Sequence, residues 1–356
     1  MVSVEVIFFV SFLILITGFL LLDLGVLDKS NHVVSFKSAL FYTFVWIAVS
    51  IGFYILIIFH GDWIHLGPDG TIEELQGLIS RYGHPIKING LDYASAVEVY
   101  KKNLALEYIT GYVIEWMLSL DNIFVMVVVF YAFKVKPHYY RRVLFYGILA
   151  AVVFRFLFIF TASALIHQFH WILYLFGILL IYTGIKMFFE KEAAHIDTHD
   201  HPVVKFASKY LPVYPRFARH HFFVHKEGRL MITPLFITLM VIEFSDVMFA
   251  VDSIPAIFAV TSDPFVIFFS NVFAILGLRS MFFVLIKIID IFRYLKTGLA
   301  ILMGFIGIKM LLGKYLTDWG FTTAYSLYTI LAIMVISVVL SLIFPDKENT
   351  IDKKSR

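Results

Sequence analysis

Cysteine is absent from all 356 residues. Its absence excludes a disulfide framework, a thiolate site and an iron–sulfur cluster held by this chain. Charge is sparse as well: Asp, Glu, Lys and Arg make up 15% of the sequence against 60% apolar residues. The net charge of +3 gives no sign of a nucleic-acid partner. The first apolar run lacks the basic start and small-residue cleavage site of a signal peptide, so it reads as a true membrane span. No stretch resembles a transit peptide. There is no nucleotide-binding loop, and no nucleophile–base arrangement emerges, so an enzyme is not expected. The chain has instead many apolar runs long enough to cross a hydrocarbon layer of about 30 Å. The expected class is an all-α polytopic protein of a bacterial inner (plasma) membrane, with the lipid bilayer as its first partner.

The runs give nine spans, near 4–22, 37–59, 108–133, 142–165, 170–189, 231–260, 264–287, 296–313 and 322–344. Lys134, Lys136, Arg141 and Arg142 fill one connection without an acid. Lys205, Lys209, Arg216, Arg219, Lys226 and Arg229 populate another, and Lys347, Lys353, Lys354 and Arg356 mark the tail. The short connections on the other side carry almost no Lys or Arg, so the positive-inside rule predicts N-out, C-in. Trp46, Trp171 and Trp319 fit interfacial aromatic belts. The expected organisation is two N-terminal spans (1–59), an exterior segment (60–107), a first three-helix unit (108–189), and an interior basic loop with histidines (190–230). A second three-helix unit (231–313) and a last span with a basic tail (314–356) complete it. Turn signals such as Gly67-Pro68-Asp69-Gly70 and a short amphipathic stretch around 92–102 predict a small exterior cap. In the interior loop, His195, Asp197, His199, Asp200 and His201 could bind a transition metal; the plainer reading is a solvated polar loop.

The two three-helix units repeat one another. Glu115-x5-Asp121-Asn122-Ile123 and Asp246-x5-Asp252-Ser253-Ile254 each place carboxylates inside apolar runs. An isolated arginine follows in each, Arg155 and Arg279, and each unit ends in Gly-Ile-Lys-Met, at 184–187 and 307–310. Three spans is an odd number, so the second copy enters from the opposite face, giving a 3+3 inverted-topology repeat of spans 3–5 and 6–8. Lys186 and Lys309, near helix ends, are expected to snorkel to the headgroups.

Glu115, Asp121, Glu243, Asp246 and Asp252 face Arg155 and Arg279, an excess of three negative charges if all are ionised. Ionisable groups within spans are costly and face the bundle interior or a wet cavity. A bound divalent cation offsets most of the excess. Glu243 and Asp246 share a helix face, whereas Glu115 and Asp121, like Asp246 and Asp252, stand about 120° apart. One ion therefore cannot touch both members of such a pair on an unbroken helix. Pro255 predicts a break that frees the Val251 carbonyl beside Asp252. The oxygen donors, including Asn122, Ser253, Ser119 and Ser245, suit Mg²⁺, Mn²⁺ or Ca²⁺. Met117, Met126 and Met248 lie near and either pack or tilt the preference towards manganese. Arg155 and Arg279 are either structural partners of the acids or gating counter-charges, and Asn271 is expected to bond across helices.

The segments Ala105–Asn122, Thr233-Pro234-Leu235, Glu243–Pro264 and Ser270–Arg279, with Leu22-Asp23-Leu24-Gly25, resemble the TerC family of integral membrane proteins over nearly the whole chain. Within the family the chain is most similar to the branch associated with manganese export and alkaline response. The resemblance implies a LysE-like transporter fold, manganese efflux and, by name, tellurium-compound resistance. It carries the metal site to Glu115, Asp121, Asn122, Glu243, Asp246, Asp252 and Ser253, with Arg155 and Arg279 as counter-charges. Mn²⁺ is then cargo and no cofactor is implied. An acidic interior suits a cation better than a tellurium oxyanion. The other reading is a scaffold that delivers metal to exported proteins or assembles membrane partners through the exterior segment and the histidine loop.

Overall fold

The computed structural model describes residues 4–27, 34–67, 70–189, 201–218, 221–226, 228–288 and 294–344. In a bilayer every backbone N–H and C=O has to be satisfied within its segment, so the apolar runs become helices. Eight are long and apolar enough to cross a membrane. They are α1 (Val4–Leu27), α2 (Phe36–His60), α4 (Tyr93–Ala132), α5 (Pro137–Gln168), α6 (Ile172–Phe189), α8 (Pro234–Phe258), α9 (Pro264–Leu285) and α12 (Thr323–Ile343). The eighth of the nine expected spans is α10 (Leu295–Leu311), 17 residues and about 26 Å long. The chain is therefore an all-α polytopic membrane protein. Three of the membrane-spanning helices start on proline, Pro137, Pro234 and Pro264, where a missing N–H costs nothing. Thr233 and Asp263 cap two of them by accepting hydrogen bonds from first-turn amides.

Burial sorts the helices. The apolar window of α9 is 94% buried, against 17% for α1 and for α6. Helix α9 is thus the central post, packed by α2, α4 and α5, while α6 pairs with α10 at the periphery. That pairing is close because it is glycine on backbone. A Cβ on Gly184 would lie 2.8 Å from the Ala300 carbonyl and 3.1 Å from the Gly304 nitrogen. On Gly307 it would lie 2.7 Å from the Gly177 carbonyl and 3.1 Å from the Ile181 nitrogen. Each glycine opens a Gly-Ile-Lys-Met copy, and each meets the residues seven and three places before the other. Such reciprocity is what a two-fold relation between two helices produces.

Several local expectations are revised. Residues 92–102 do not form a separate element: they are the first turns of α4, which runs unbroken for 40 residues, about 60 Å and longer than a bilayer is thick. The exterior segment holds a 3₁₀ turn (Gly61–Ile64) and α3 (Ile72–Tyr82), whose start is fixed by a capping box between Thr71 and Glu74. The interior loop contains α7 (Pro202–Tyr210) and a hairpin of β1 (Phe223–Lys226) and β2 (Arg229–Ile232). His195, His199 and His220 lie outside the described residues, and His201 caps α7, accepting from the Val203 amide. Trp46 is a core residue, 8% exposed and edge-on to Phe19, whereas Trp171 and Trp319 are exposed. Helix α8 continues through Pro255, so the expected unwound turn is not there; the proline sits one turn from the helix end, where few backbone bonds remain to be broken.

The end of the bundle read as exterior is fastened by a buried clasp. Nε2 of His65 lies 2.8 Å from Asp263 Oδ2 and Nδ1 lies 2.9 Å from Glu5 Oε1. The ring joins the start of α1, the end of the 3₁₀ turn and the cap of α9. Burial opposes charging His65, but the Asp263 and Glu5 carboxylates outweigh it and raise its pKa from 6.5 to about 9. A raised histidine pKa stabilises the fold fully below the unfolded value and ceases to do so as pH rises through the folded one. Thermal unfolding in detergent should therefore lose about 3 kcal/mol of stability between neutral pH and pH values above about 9. His65→Gln should flatten that dependence; an equal pH slope in the variant would show that the clasp is not its source.

Candidate functional site

Four helices converge on one buried arginine. Arg155, on α5, is 1% exposed. Its Nη1 lies 2.5 Å from Glu115 Oε1 on α4, 2.5 Å from Asn271 Oδ1 on α9 and 3.1 Å from Ser253 Oγ on α8. Its Nη2 is 3.7 Å from Asp246 Oδ1, also on α8. Asn122 Nδ2 donates to that same Asp246 oxygen at 3.1 Å, joining α4 to α8 directly. Asn271 is completely buried; its amide nitrogen donates to the Ile267 carbonyl within α9, and by accepting from Arg155 it bonds across helices as expected. Arg279 is buried too, 5% exposed.

The six-residue spacing works as helical geometry demands. Glu115 and Asp246 face Arg155, while Asp121 and Asp252 turn away and line a cavity of about 200 Å³. Asn122 and Ser253 reach both places, each with a bond or lining position on either side. Thr183 Oγ1 on α6 donates to Asp252 Oδ1 at 3.1 Å. The rest of the wall includes Lys186 and Met187 of α6 and Met303 of α10. Glu243 goes elsewhere: with Asp246, Met126 and Gly147 it lines a void of about 10 Å³, room for about one water. The shared face of Glu243 and Asp246 is thus real, and it looks away from the larger cavity. Met117 is buried in the core and Met248 is exposed, so neither stands at the cavity.

Sequence reasoning missed seven of the cavity's lining residues, four of them with a heteroatom in the side chain. Thr183, Lys186 and Met187 sit in or next to the first Gly-Ile-Lys-Met copy, which was read as a repeat marker with a snorkelling lysine. Lys186 is exposed, as snorkelling requires, but it stands at the cavity and acts electrostatically on Asp252. Met303 had no pattern to reveal it. Another missed acid, Glu107, is fully buried farther up α4, where it accepts hydrogen bonds from Asn103, His84 and Thr261. Among the described residues no three His, Asp or Glu side chains converge closely enough to hold a metal. The cavity offers two carboxylates with amide, hydroxyl and thioether neighbours.

The profile of the integral membrane protein TerC family matches residues 100–349. An uncharacterized membrane protein of Myxococcus xanthus is 38% identical over 333 residues, covering 94% of this chain and 91% of its own length. A membrane protein of Rickettsia bellii is 36% identical over 345 residues, 97% of this chain and 99% of its own. A protein of Escherichia coli (strain K12) bearing the provisional name membrane-bound redox modulator Alx is 47% identical over 240 residues, 67% of this chain and 73% of its own. No solved structure matches.

The arginine cluster makes a stability prediction. Breaking a buried ion pair by removing one partner costs about 3–5 kcal/mol, because the other charge is left buried and alone. Arg155→Met should therefore lower the unfolding midpoint in detergent strongly, and adding Glu115→Gln should recover part of the loss. No recovery in the double variant would mean that the pair is not the interaction that matters.

Proposed function

We propose that this chain, which belongs to the TerC family of integral membrane proteins, carries a divalent cation across a bacterial plasma membrane through the cavity at Asp121 and Asp252, with manganese as cargo and export as its direction. The observation that carries this reading is the placement of the duplicated acids. The second carboxylate of each motif copy lines one cavity, with Asn122, Ser253 and Thr183 as neutral oxygen donors. The first carboxylate of each is held by Arg155. The cavity's two carboxylates thus lie apart from the cluster around Arg155. A divalent ion matches two carboxylates, and hard oxygen ligands suit Mn²⁺, Mg²⁺ and Ca²⁺. The thioethers of Met187 and Met303 add softer donors that favour manganese over the other two. Manganese and the outward direction rest on the family resemblance.

In this reading the two halves enter the membrane from opposite faces and exchange access to the cavity, with α6 and α10 rocking on their glycine contact. Asp121 and Asp252 are the primary ligands, and Glu115 and Asp246 set the field around them. The redox name of the relatives does not translate into thiol chemistry by this chain, which has no cysteine; a cation carrier acts on redox balance through the metal it removes.

Inverted membrane vesicles test the proposal. Wild-type vesicles should accumulate manganese, with magnesium and calcium competing weakly, and Asp252→Asn should abolish uptake while inserting normally. Absence of flux for every divalent ion, with the protein well inserted, would refute transport and favour a scaffold that delivers metal to exported proteins.

A further inference from the structure

Fourteen residues before Asp121 on α4, about 21 Å along the helix axis, lies a second buried titratable site. Glu107 is completely buried and accepts three hydrogen bonds: from Asn103 Nδ2 at 2.7 Å, His84 Nδ1 at 3.0 Å and Thr261 Oγ1 at 2.7 Å. The Asn103 amide nitrogen can only donate, and with Glu107 as a carboxylate, which only accepts, all three bonds are satisfied. Nδ1 of His84 therefore carries the proton in that bond. Nε2 is then the basic lone pair of the ring. It is buried and has no hydrogen-bond partner among the described residues, while the His84 side chain is 0% exposed. A carboxylate behind one imidazole nitrogen raises the basicity of the other. The residues flanking His84, Gly83 and Pro85, line a separate cavity of about 270 Å³ together with Thr261, Lys309 and Thr322.

We propose that the His84–Glu107 pair is a proton-binding site, remote from the Asp121–Asp252 cavity, that loads the counter-ion for cation exchange. The proton adds to Nε2 of His84, the Nδ1–H bond to Glu107 stays in place, and the imidazolium is left paired with that carboxylate. The exchange role rests on the transport reading above; the proton site itself does not.

The groups around the ring support a proton there. Glu107 and Tyr100 face it from α4, Asp263 from the cap of α9, and His65 from the end of the 3₁₀ turn. Tyr82 lies beside it from α3, Glu5 belongs to the adjoining clasp on α1, and Lys309 of α10 faces Glu107. Burial disfavours the charged ring, but Glu107 and then Asp263 outweigh both burial and the neighbouring His65, leaving the His84 pKa above the ordinary imidazole value.

His84→Asn keeps an amide donor for Glu107 and removes the titration. The whole chain, reconstituted in proteoliposomes, is tested for manganese flux down its own gradient and for manganese accumulation driven by a proton gradient alone. Wild type should do both. The variant should keep the downhill flux and lose at least tenfold of the proton-driven accumulation. In parallel, the imidazole signals of the isolated protein are followed by NMR across about pH 5 to pH 10. One signal that is missing in His84→Asn should titrate above the ordinary histidine range, and Glu107→Gln should move it downward. Should His84→Asn fail to insert, Glu107→Gln carries both tests, with its proton-driven flux displaced to lower pH. Undiminished proton-driven accumulation in the variant, or no titration assignable to His84, would overturn the proposal. A titrating His84 in a protein that moves no cation would retain the proton site and refute the transport reading instead.

Discussion

Arg155 is the group on which the centre of the molecule depends. A guanidinium that is 1% exposed inside an apolar bundle is tolerable only when anions and hydrogen-bond acceptors surround it. The acceptors come from α4, α8 and α9 while the arginine itself rides on α5. Because Glu115 belongs to the first acidic motif and Asp246 and Ser253 to the second, a single cation crosslinks the two motifs. The cluster also fixes where the remaining carboxylates go: with Glu115 and Asp246 turned to the arginine, the helical period turns Asp121 and Asp252 away from it and into the cavity.

The transport reading proposed above divides the bundle into a fixed centre and a movable wall. The arginine cluster and α9 form the stiff centre, with α9 buried along nearly its whole length. Helices α6 and α10, tied to each other by glycine–backbone contacts, contribute Thr183, Lys186, Met187 and Met303 to the cavity wall. Small residues at a helix contact allow close approach without interlocking side chains. A pair joined in this way can shift as one body against the centre. The clasp at His65 and the carboxylate at Glu107 tie helices together away from that pair.

Much of this was legible in the sequence, and for identifiable reasons. Intramembrane charge is rare, so Glu115, Asp121, Asp246, Asp252 and Arg155 stood out, and the 3.6 period alone separated the members of each acidic pair. The matching tetrapeptides at 184 and 307 read as a repeat marker, and their glycines meet the facing backbone reciprocally between α6 and α10. Other features gave no pattern. Glu107 lies where the expected third span was only about to begin, and its burial depends on His84 and Thr261, which are distant in sequence. The amphipathic turns of 92–102 carry the composition of an exterior element, yet they are the head of α4. Pro255 breaks a helix by its local chemistry, but near the end of α8 the remaining packing keeps the helix whole. Trp46 was misplaced because an aromatic near a span end reads the same in sequence whether it faces lipid headgroups or Phe19.

The central claim is that the cargo ion rests between Asp121 and Asp252 and not among the acids at Arg155. Diffraction from crystals grown with manganese, recorded at its absorption edge, tests this most directly. The account predicts an anomalous peak in the cavity, within ligand distance of both carboxylates and absent from Asp252→Asn crystals. A peak beside Glu115 and Asp246, or one at Glu243, would contradict it.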